Sequence, residues 1–313
     1  MDILGLTIRK IGNECQHCIK AIYRSNKVVR EKCTAINMAY RIYGRTPSPG
    51  SCPIIVLHGC LGSKRNWEKM CGYLTASTNK PVIAVDARNY GDSPYTPEHD
   101  YYSLAADVSN LMTKFSIERS IIIGHCMGGK TGMVLALTEP FKVASLIVVD
   151  TSPASKSGAM DIEYPKIMEA MSTIDFKGMD LQKAMDFAQS KMLKLNLFHS
   201  EHELQTVLLN IGKLADKSIG WRYNLKTLMN TTDDINSFPD MFGTYYYGPT
   251  LFVAGRLSYA IPPEDLQCIQ HLFPNARVVY VEGVGHNVHE EDPDAFFAAI
   301  AEFLFQKPKI QIT

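Results

Sequence analysis

Residues Ser120–Met133 read SIIIGHCMGGKTGM. An apolar β-branched run passes into Gly124-His125-Cys126-Met127-Gly128, and a helix-compatible stretch follows at once. The pattern is a strand, a sharp turn and a helix of the form G-x-Nu-x-G, with cysteine at the nucleophile position. Such a turn forces its central residue into a strained backbone conformation, and the flanking glycines give the chain room to pass. Cys126 is therefore presented at the tip. The N–H of the next residue, Met127, points to where an oxyanion would form.

The same residues satisfy a second pattern. Gly124-x-x-x-x-Gly129-Lys130-Thr131 fits a phosphate loop, and LIVVD, ending at Asp150, resembles a Walker B strand. Three features count against a nucleotide binder. A phosphate loop usually follows the first strand of its domain, whereas three candidate strands precede this one. The second strand arrives one helix later with no further switch motif. The nucleotide reading also leaves His58-Gly59, Asp86–Ser93 and His286 without a role, and the nucleophile reading uses all of them.

Outward from the turn, short β-branched runs alternate with helical stretches. Candidate strands are Met38–Ile42, Pro53–Leu57, Pro81–Val85, Ser120–Ile123, Ser145–Val149, Thr250–Ala254 and Arg277–Val281. Most are continuous apolar runs, the mark of strands buried on both faces of a parallel sheet. Helical patterns lie between them, as at Tyr102–Phe115, Gly129–Leu137 and Asp294–Phe305. The order predicts a doubly wound, mostly parallel α/β sheet.

From residue 151 to 248 no strand is evident, but helical patterns recur at Glu163–Met171, Leu181–Leu195, Glu201–Leu214 and Leu225–Met229. A helical insertion between two buried strands must sit outside the sheet, as a lid. Met160, Met168, Met171, Met179, Met185, Met192, Met229 and Met241 fall there. They suit either helix packing or an adaptable apolar pocket. The expected organisation is a basic N-terminal extension (1–35), a core (36–150 and 249–313) and a lid (151–248).

Composition narrows the function. The 313 residues are 46% hydrophobic and 20% charged, with Lys+Arg 32 against Asp+Glu 32. That balance gives no reason to expect nucleic acid or an anionic membrane as main partner. Eight cysteines show no disulfide spacing, which fits a reducing compartment. Cys15 and Cys18 form a C-x-x-C, but no second ligand pair completes a metal site, so neither metal nor cofactor is expected. No apolar run approaches the ~18 residues of a spanning helix. Residues 1–35 carry Arg9, Lys10, Lys20, Arg24, Lys27, Arg30 and Lys32 against Asp2, Glu14 and Glu31. This reads as an organelle transit segment or as a solvated basic helix.

The remaining parts of a nucleophilic site follow in chain order. Strand Pro53–Leu57 ends in His58-Gly59-Cys60-Leu61-Gly62-Ser63, where the Cys60 N–H is the expected second oxyanion donor. Strand Arg277–Val281 leads to Glu282-Gly283-Val284-Gly285-His286, which places His286 to act as general base. His125 and His289 compete for that role. His289 opens a helical region and reads as structural, and His125 flanks the nucleophile but points away across the turn. For the acid, Asp150 ends the strand after the turn. The position after strand TLFVAG offers Arg256-Leu257-Ser258-Tyr259 and no carboxylate before Glu264. Asp86 ends a strand too, and is expected to pair with Arg88.

Together GHCMGGKTGM, VDARNYGDSP, HGCLGS, VVDTSP, WRYNL and GVGH resemble the α/β-hydrolase superfamily, in particular the group of animal abhydrolase-domain-containing protein eleven and small bacterial esterases. The resemblance spans roughly Ala39 to Phe305, lid included. It implies hydrolysis of carboxylic esters, thioesters or lipids with apolar acyl groups through a covalent acyl-enzyme, and a mitochondrial location, with the cytoplasm as alternative. Carried over, the nucleophile falls on Cys126, the base on His286 and the oxyanion donors on Cys60 and Met127. Two departures stand out. The family pattern is GHSMGGK, and an acidic position sometimes assigned after WRxNL is here Lys226. Cysteine at the turn reads as a natural thiol nucleophile, as an engineered slow one, or as the mark of a ligand-binding relative without catalysis. The retained His286, Asp150 and oxyanion segment favour the enzyme.

Overall fold

The computed structural model describes residues 34–154, 158–198, 200–241 and 243–305. The basic segment up to residue 33, with Cys15 and Cys18, lies outside them, as does the Met160 side chain. Elements are numbered in chain order. The first half comprises β1 (Tyr40–Tyr43), β2 (Ile54–Leu57), α1 (Glu68–Thr78), β3 (Val82–Val85), α2 (Tyr101–Lys114), β4 (Ser120–His125), α3 (Met127–Thr138) and β5 (Val143–Val149). Next come α4 (Gly158–Ser172), α5 (Leu181–Leu193), α6 (Glu201–Leu208), β6 (Ile211–Lys213), β7 (Ile219–Trp221), α7 (Leu225–Asn230) and α8 (Thr232–Asn236). The chain then forms β8 (Thr250–Gly255), α9 (Leu266–Leu272), β9 (Ala276–Val281), α10 (Val288–Glu291) and α11 (Pro293–Phe305).

Seven strands make one sheet in the order β1-β3-β2-β4-β5-β8-β9. Only β1 runs antiparallel to its neighbour β3; the other pairs are parallel. Strands β2, β3, β4 and β8 are buried at every position, which explains their unbroken apolar runs. Alternate residues face opposite layers: Ile54 and Val56 meet α1 and α11, while Ile55 and Leu57 face the side of α2 and α3. Helix α3 is buried from Met127 to Leu137, so it shows almost no polar face in sequence.

The strand order reverses between β2 and β4. From β2 the sheet grows to β3, and from β4 it grows through β5 and β8 to β9. In an open parallel sheet, the crevice beyond the strand C-termini at such a reversal is where ligands bind. The loops leaving β2 and β4 carry Cys60 and Cys126.

The segment between β5 and β8 is mainly helical, with one difference from the sequence expectation. The helix expected over Glu201–Leu214 ends at Leu208, and β6 pairs antiparallel with β7. Lys217, at φ 70°, turns the hairpin, and the Leu214 N–H donates to Ser218 O at 2.8 Å. Asp180, Ser200 and Asn224 cap the starts of α5, α6 and α7 by accepting backbone N–H bonds. Buried Ile167, Met171, Ala188, Val207 and Leu228 join the same apolar cluster as Ile55 and Met133. The methionines divide: Met168, Met171, Met192 and Met241 are buried, and Met229 is exposed.

Candidate active site

Cys126 sits between β4 and α3 with φ 49° and ψ −115°, a conformation that costs an L-residue about 1–3 kcal/mol. Its own N–H is held by Val149 O at 2.9 Å. The turn closes only because glycine flanks it. A Cβ on Gly124 would lie 2.2 Å from Gly128 O, and one on Gly128 would lie 2.4 Å from Leu57 O. Backbones in such contact leave no open ring of N–H groups to encircle a phosphate. Lys130 is turned to the helical insertion, donating to Asn236 O at 3.0 Å, and the Thr131 hydroxyl donates to Met127 O at 2.9 Å. The phosphate-loop residues are thus committed elsewhere.

The expected histidine and acid meet. His286 Nδ1 lies 2.7 Å from Asp150 Oδ2. Asp150 is fully buried, and its other oxygen accepts from the Gly255 N–H at 2.8 Å and from the Ser258 hydroxyl at 2.7 Å. Like Cys126, Asp150 holds a left-handed backbone, at φ 52°. Glu291 steadies the His286 loop from both sides, accepting from the N–H of Gly285 at 2.7 Å and of Asn287 at 3.2 Å. Ser258 and Glu291 were not singled out from sequence; the only signal was a hydroxyl standing where a strand-end carboxylate is usual.

The loop after β2 passes over the thiol, close enough that a Cβ on Gly59 would lie 3.2 Å from Cys126 Cβ. His58 fixes this loop, with Nδ1 donating to Gly59 O at 2.8 Å and Nε2 accepting from the Ala87 N–H at 3.0 Å. The insertion fixes it as well: Asn210 Nδ2 at 3.3 Å and the Tyr223 hydroxyl both donate to Leu61 O. Cys60 and Met127 follow directly on the two segments so apposed. The Cys60 thiol in turn donates to the Cys126 sulfur, and the Tyr90 hydroxyl donates to Cys60.

Charge is organised around the thiol. The Cys60 hydrogen bond holds Cys126 well below an ordinary thiol; burial opposes this, and the imidazoles of His286 and His125 reinforce it. Burial pulls His286 down, but the Cys126 thiolate and the Asp150 carboxylate outweigh it and hold the ring well above an ordinary imidazole. Both shifts favour the thiolate–imidazolium form of the pair. His125 is driven well down by burial and by repulsion from His286 and His289. It serves as a neutral strut, its Nε2–H donating to His286 O at 2.9 Å. His289 stacks on Trp67 at 3.9 Å, and burial with His286 nearby lowers it to about 3.

Two expectations about carboxylates are settled by contacts. Asp86 does not pair with Arg88. It binds the Lys64 ammonium and the N–H groups of Lys64 and Asp92, while Arg88 makes a double bond pattern to Asp107 at 2.7 Å each. The Arg88 fork matches the Asp107 carboxylate, which waits on α2. Glu264 is exposed on the turn Pro263–Asp265, and Lys226 lies on α7.

Two spaces lie near the site, one reaching Cys60 and the other His286. A narrow, mainly apolar cavity on the Cys60 side is lined by Leu61, Tyr90, Met168, Leu228 and Ile235, among others. A wider groove of about 430 Å³ lies on the His286 side, with Ser258, Tyr259 and Asn287 in its wall. Tyr164 borders both. Among the described residues no cluster of His, Cys, Asp and Glu is arranged to hold a metal, and no helix is long and apolar enough to cross a membrane.

A sheet of this order, with thiol, carboxylate and histidine beyond the ends of β4, β5 and β9, defines an α/β hydrolase of the esterase and lipase type. The family model for the alpha/beta hydrolase fold matches residues 53–293, and the chain belongs to that family. It is 33% identical over 271 residues to the sn-1-specific diacylglycerol lipase ABHD11 of Danio rerio, covering 86% of this chain and 83% of that protein. The protein of the same name from Mus musculus is 34% identical over 255 residues, 80% of each chain. A solved structure, a marine microorganism esterase, superimposes with a TM-score of 0.77 at 28% identity, over 86% of this chain and all of that one.

Proposed function

We propose that the protein hydrolyses carboxylic esters or thioesters of apolar acyl groups through a thioester acyl-enzyme on Cys126. The observation that carries this reading is the 2.7 Å contact of His286 Nδ1 with buried Asp150 behind the strained turn that bears Cys126. The Cys126 sulfur attacks the substrate carbonyl, and the backbone N–H groups of Cys60 and Met127 stabilise the oxyanion. His286 gives its Nε2 proton to the leaving alcohol or thiol, and Asp150 keeps the ring in the tautomer that does so. In the second half His286 takes a proton from water, which attacks the thioester and frees the acid. Sulfur is larger than oxygen, and a displacement of ~1 Å from a hole shaped for an alkoxide costs about 10²-fold, so turnover is slow.

Lipid esters fall within this substrate class, supported by the diacylglycerol lipase name of the relatives. The seven basic residues among the first 35 support a mitochondrial location, which fractionation of cells expressing the full chain tests against a cytoplasmic one. The test of the chemistry is mass spectrometry after incubation with p-nitrophenyl hexanoate. A hexanoyl adduct on Cys126, absent in Cys126→Ala, is expected. Turnover without any adduct, or equal turnover by Cys126→Ala, overturns the assignment.

A further inference from the structure

The Cys126 sulfur has a second sulfur beside it. The loop after β2 runs so close to the turn that a Cβ on Gly59 would stand 3.2 Å from Cys126 Cβ. The next residue, Cys60, turns its thiol to the Cys126 sulfur and donates a hydrogen bond to it. Both cysteines are free. The loop that carries Cys60 is pinned on either side of it. Gly59 O is held by His58 Nδ1, and Leu61 O by Asn210 Nδ2 and the Tyr223 hydroxyl.

The acyl transfer described above asks only for the backbone N–H of Cys60, which any residue but proline supplies. A serine hydroxyl there would also supply the hydrogen bond to the nucleophile. A thiol at this position brings a capacity that ester chemistry does not call for. Cys126 keeps 6% of its surface exposed, and Cys60 is partly buried behind it. A thiolate within reach of a small oxidant, with a thiol in contact, is the arrangement of an attacking and a resolving cysteine.

We propose that Cys60 and Cys126 form a reversible disulfide on exposure to hydrogen peroxide, with Cys126 attacking and Cys60 resolving. The Cys126 thiolate bonds to one peroxide oxygen and the O–O bond breaks. The departing hydroxide takes the His286 proton and leaves as water, and Cys126 becomes a sulfenic acid. The Cys60 sulfur then attacks the Cys126 sulfur, the S–O bond breaks, and the hydroxide leaves with the Cys60 proton as a second water. Each sulfur gives up one electron, and the peroxide is reduced to two waters. The first step prepares the second. The hydrogen bond to Cys126, burial and the negative Cys126 sulfur keep the proton on Cys60, and a neutral sulfenic acid removes that charge. The disulfide withdraws the nucleophile until a thiol reductant frees it. Without Cys60, the sulfenic acid lies open to oxidation to a sulfinic acid, which thiols do not reverse.

The full chain is treated with hydrogen peroxide, quenched with catalase, alkylated with iodoacetamide and digested with trypsin. A linked pair of the tryptic peptides Thr46–Lys64 and Ser120–Lys130 is expected, lighter by two hydrogens than the sum of the two. Fragmentation should place the bond on Cys60 and not on Cys52, which shares its peptide. Dithiothreitol should restore alkylation of Cys126. In Cys60→Ser, dimedone should label Cys126 early, and longer exposure should give a sulfinic acid that dithiothreitol leaves in place. Three results overturn the proposal: a link from Cys126 to another cysteine, sulfinic acid at Cys126 beside a free Cys60 in the parent, or a Cys126 that peroxide leaves unchanged. The link in the parent decides by itself if Cys60→Ser does not fold. Mass and alkylation need no turnover, so a chain that hydrolyses no ester would end the hydrolase reading and leave this test standing.

Discussion

An asparagine at position 150 has only one way to lie. Oδ1 of Asp150 accepts from the Gly255 N–H at 2.8 Å and the Ser258 hydroxyl at 2.7 Å, so the amide oxygen must take that place. The NH₂ then falls where Oδ2 stands, 2.7 Å from His286 Nδ1, and two donors would face each other unless Nδ1 loses its proton. Asp150→Asn therefore forces the proton to Nε2, toward the nucleophile. With Cys126→Ser as parent, a base protonated on that nitrogen cannot accept the hydroxyl proton, and kcat should fall by about 10⁴. With the native cysteine the proton has already moved. That Nε2 proton is the one the leaving group takes, so the ring can still act as acid and the loss is that of the charge-assisted hydrogen bond from Nδ1 to Asp150, about 1.5–3 kcal/mol, or roughly 10- to 150-fold. Stopped-flow release of p-nitrophenolate in both backgrounds measures the difference, with folding checked by circular dichroism. Equal losses in the two backgrounds refute the tautomer argument. Collapse of Glu264→Gln beside an Asp150→Asn at full rate refutes the choice of acid.

Further outcomes follow from the same geometry. Cys126→Ala should abolish p-nitrophenyl ester turnover while Cys126→Ser retains or raises it; parent-rate hydrolysis by the alanine variant would remove Cys126 from the mechanism. Because Cys126 is held well below an ordinary thiol, its alkylation by iodoacetamide should stay rapid as pH falls through the range where free thiols protonate. His286→Ala should move that inflection upward, and an unchanged pH profile would show that His286 does not support the thiolate. Among unsubstituted acyl chains kcat/KM should rise from acetyl toward hexanoyl, each buried CH₂ contributing about 0.8 kcal/mol, and a steady decline would argue for a small polar acyl group. Lys130→Ala should lower Tm through its lost bond to Asn236, with ATP giving no stabilisation to either protein. Nucleotide-dependent protection that vanishes in the variant would restore the phosphate-loop reading.

The sheet was legible because β2, β3, β4 and β8 are buried on both faces, which writes them as unbroken runs such as IIVL and VIAV. Asp150 was legible for a related reason, as a polar residue at the end of such a run, where a parallel sheet presents its ligands, and His286 was legible from the Gly-flanked loop that follows β9. The β6–β7 hairpin was not, since three-residue strands within an otherwise helical stretch are too short to establish a period. Ser258, Glu291 and Asn210 escaped because their importance lies in partners far along the chain or in backbone N–H groups, neither of which leaves a local pattern. Asp86 misled for the same reason. Arg88 is its near neighbour in sequence, yet the carboxylate that fits the guanidinium fork is on α2 and the cation that reaches Asp86 is Lys64.

Cys126 is synthesised after Cys60, whose hydrogen bond does most to lower it, but long before the histidine that completes its charge pair. Asp150 follows on the next strand, but His286 comes 136 residues after Asp150, beyond the whole helical insertion and past β9. Until the last strand pairs with β8, the nascent chain has no imidazolium beside the sulfur. The sulfur therefore lacks its imidazolium partner until the sheet closes. Truncation anywhere before His286 should yield a protein that oxidants and electrophiles attack more slowly at this position than the complete chain. Reactivity here is a property of the finished fold, acquired at the final step of its assembly.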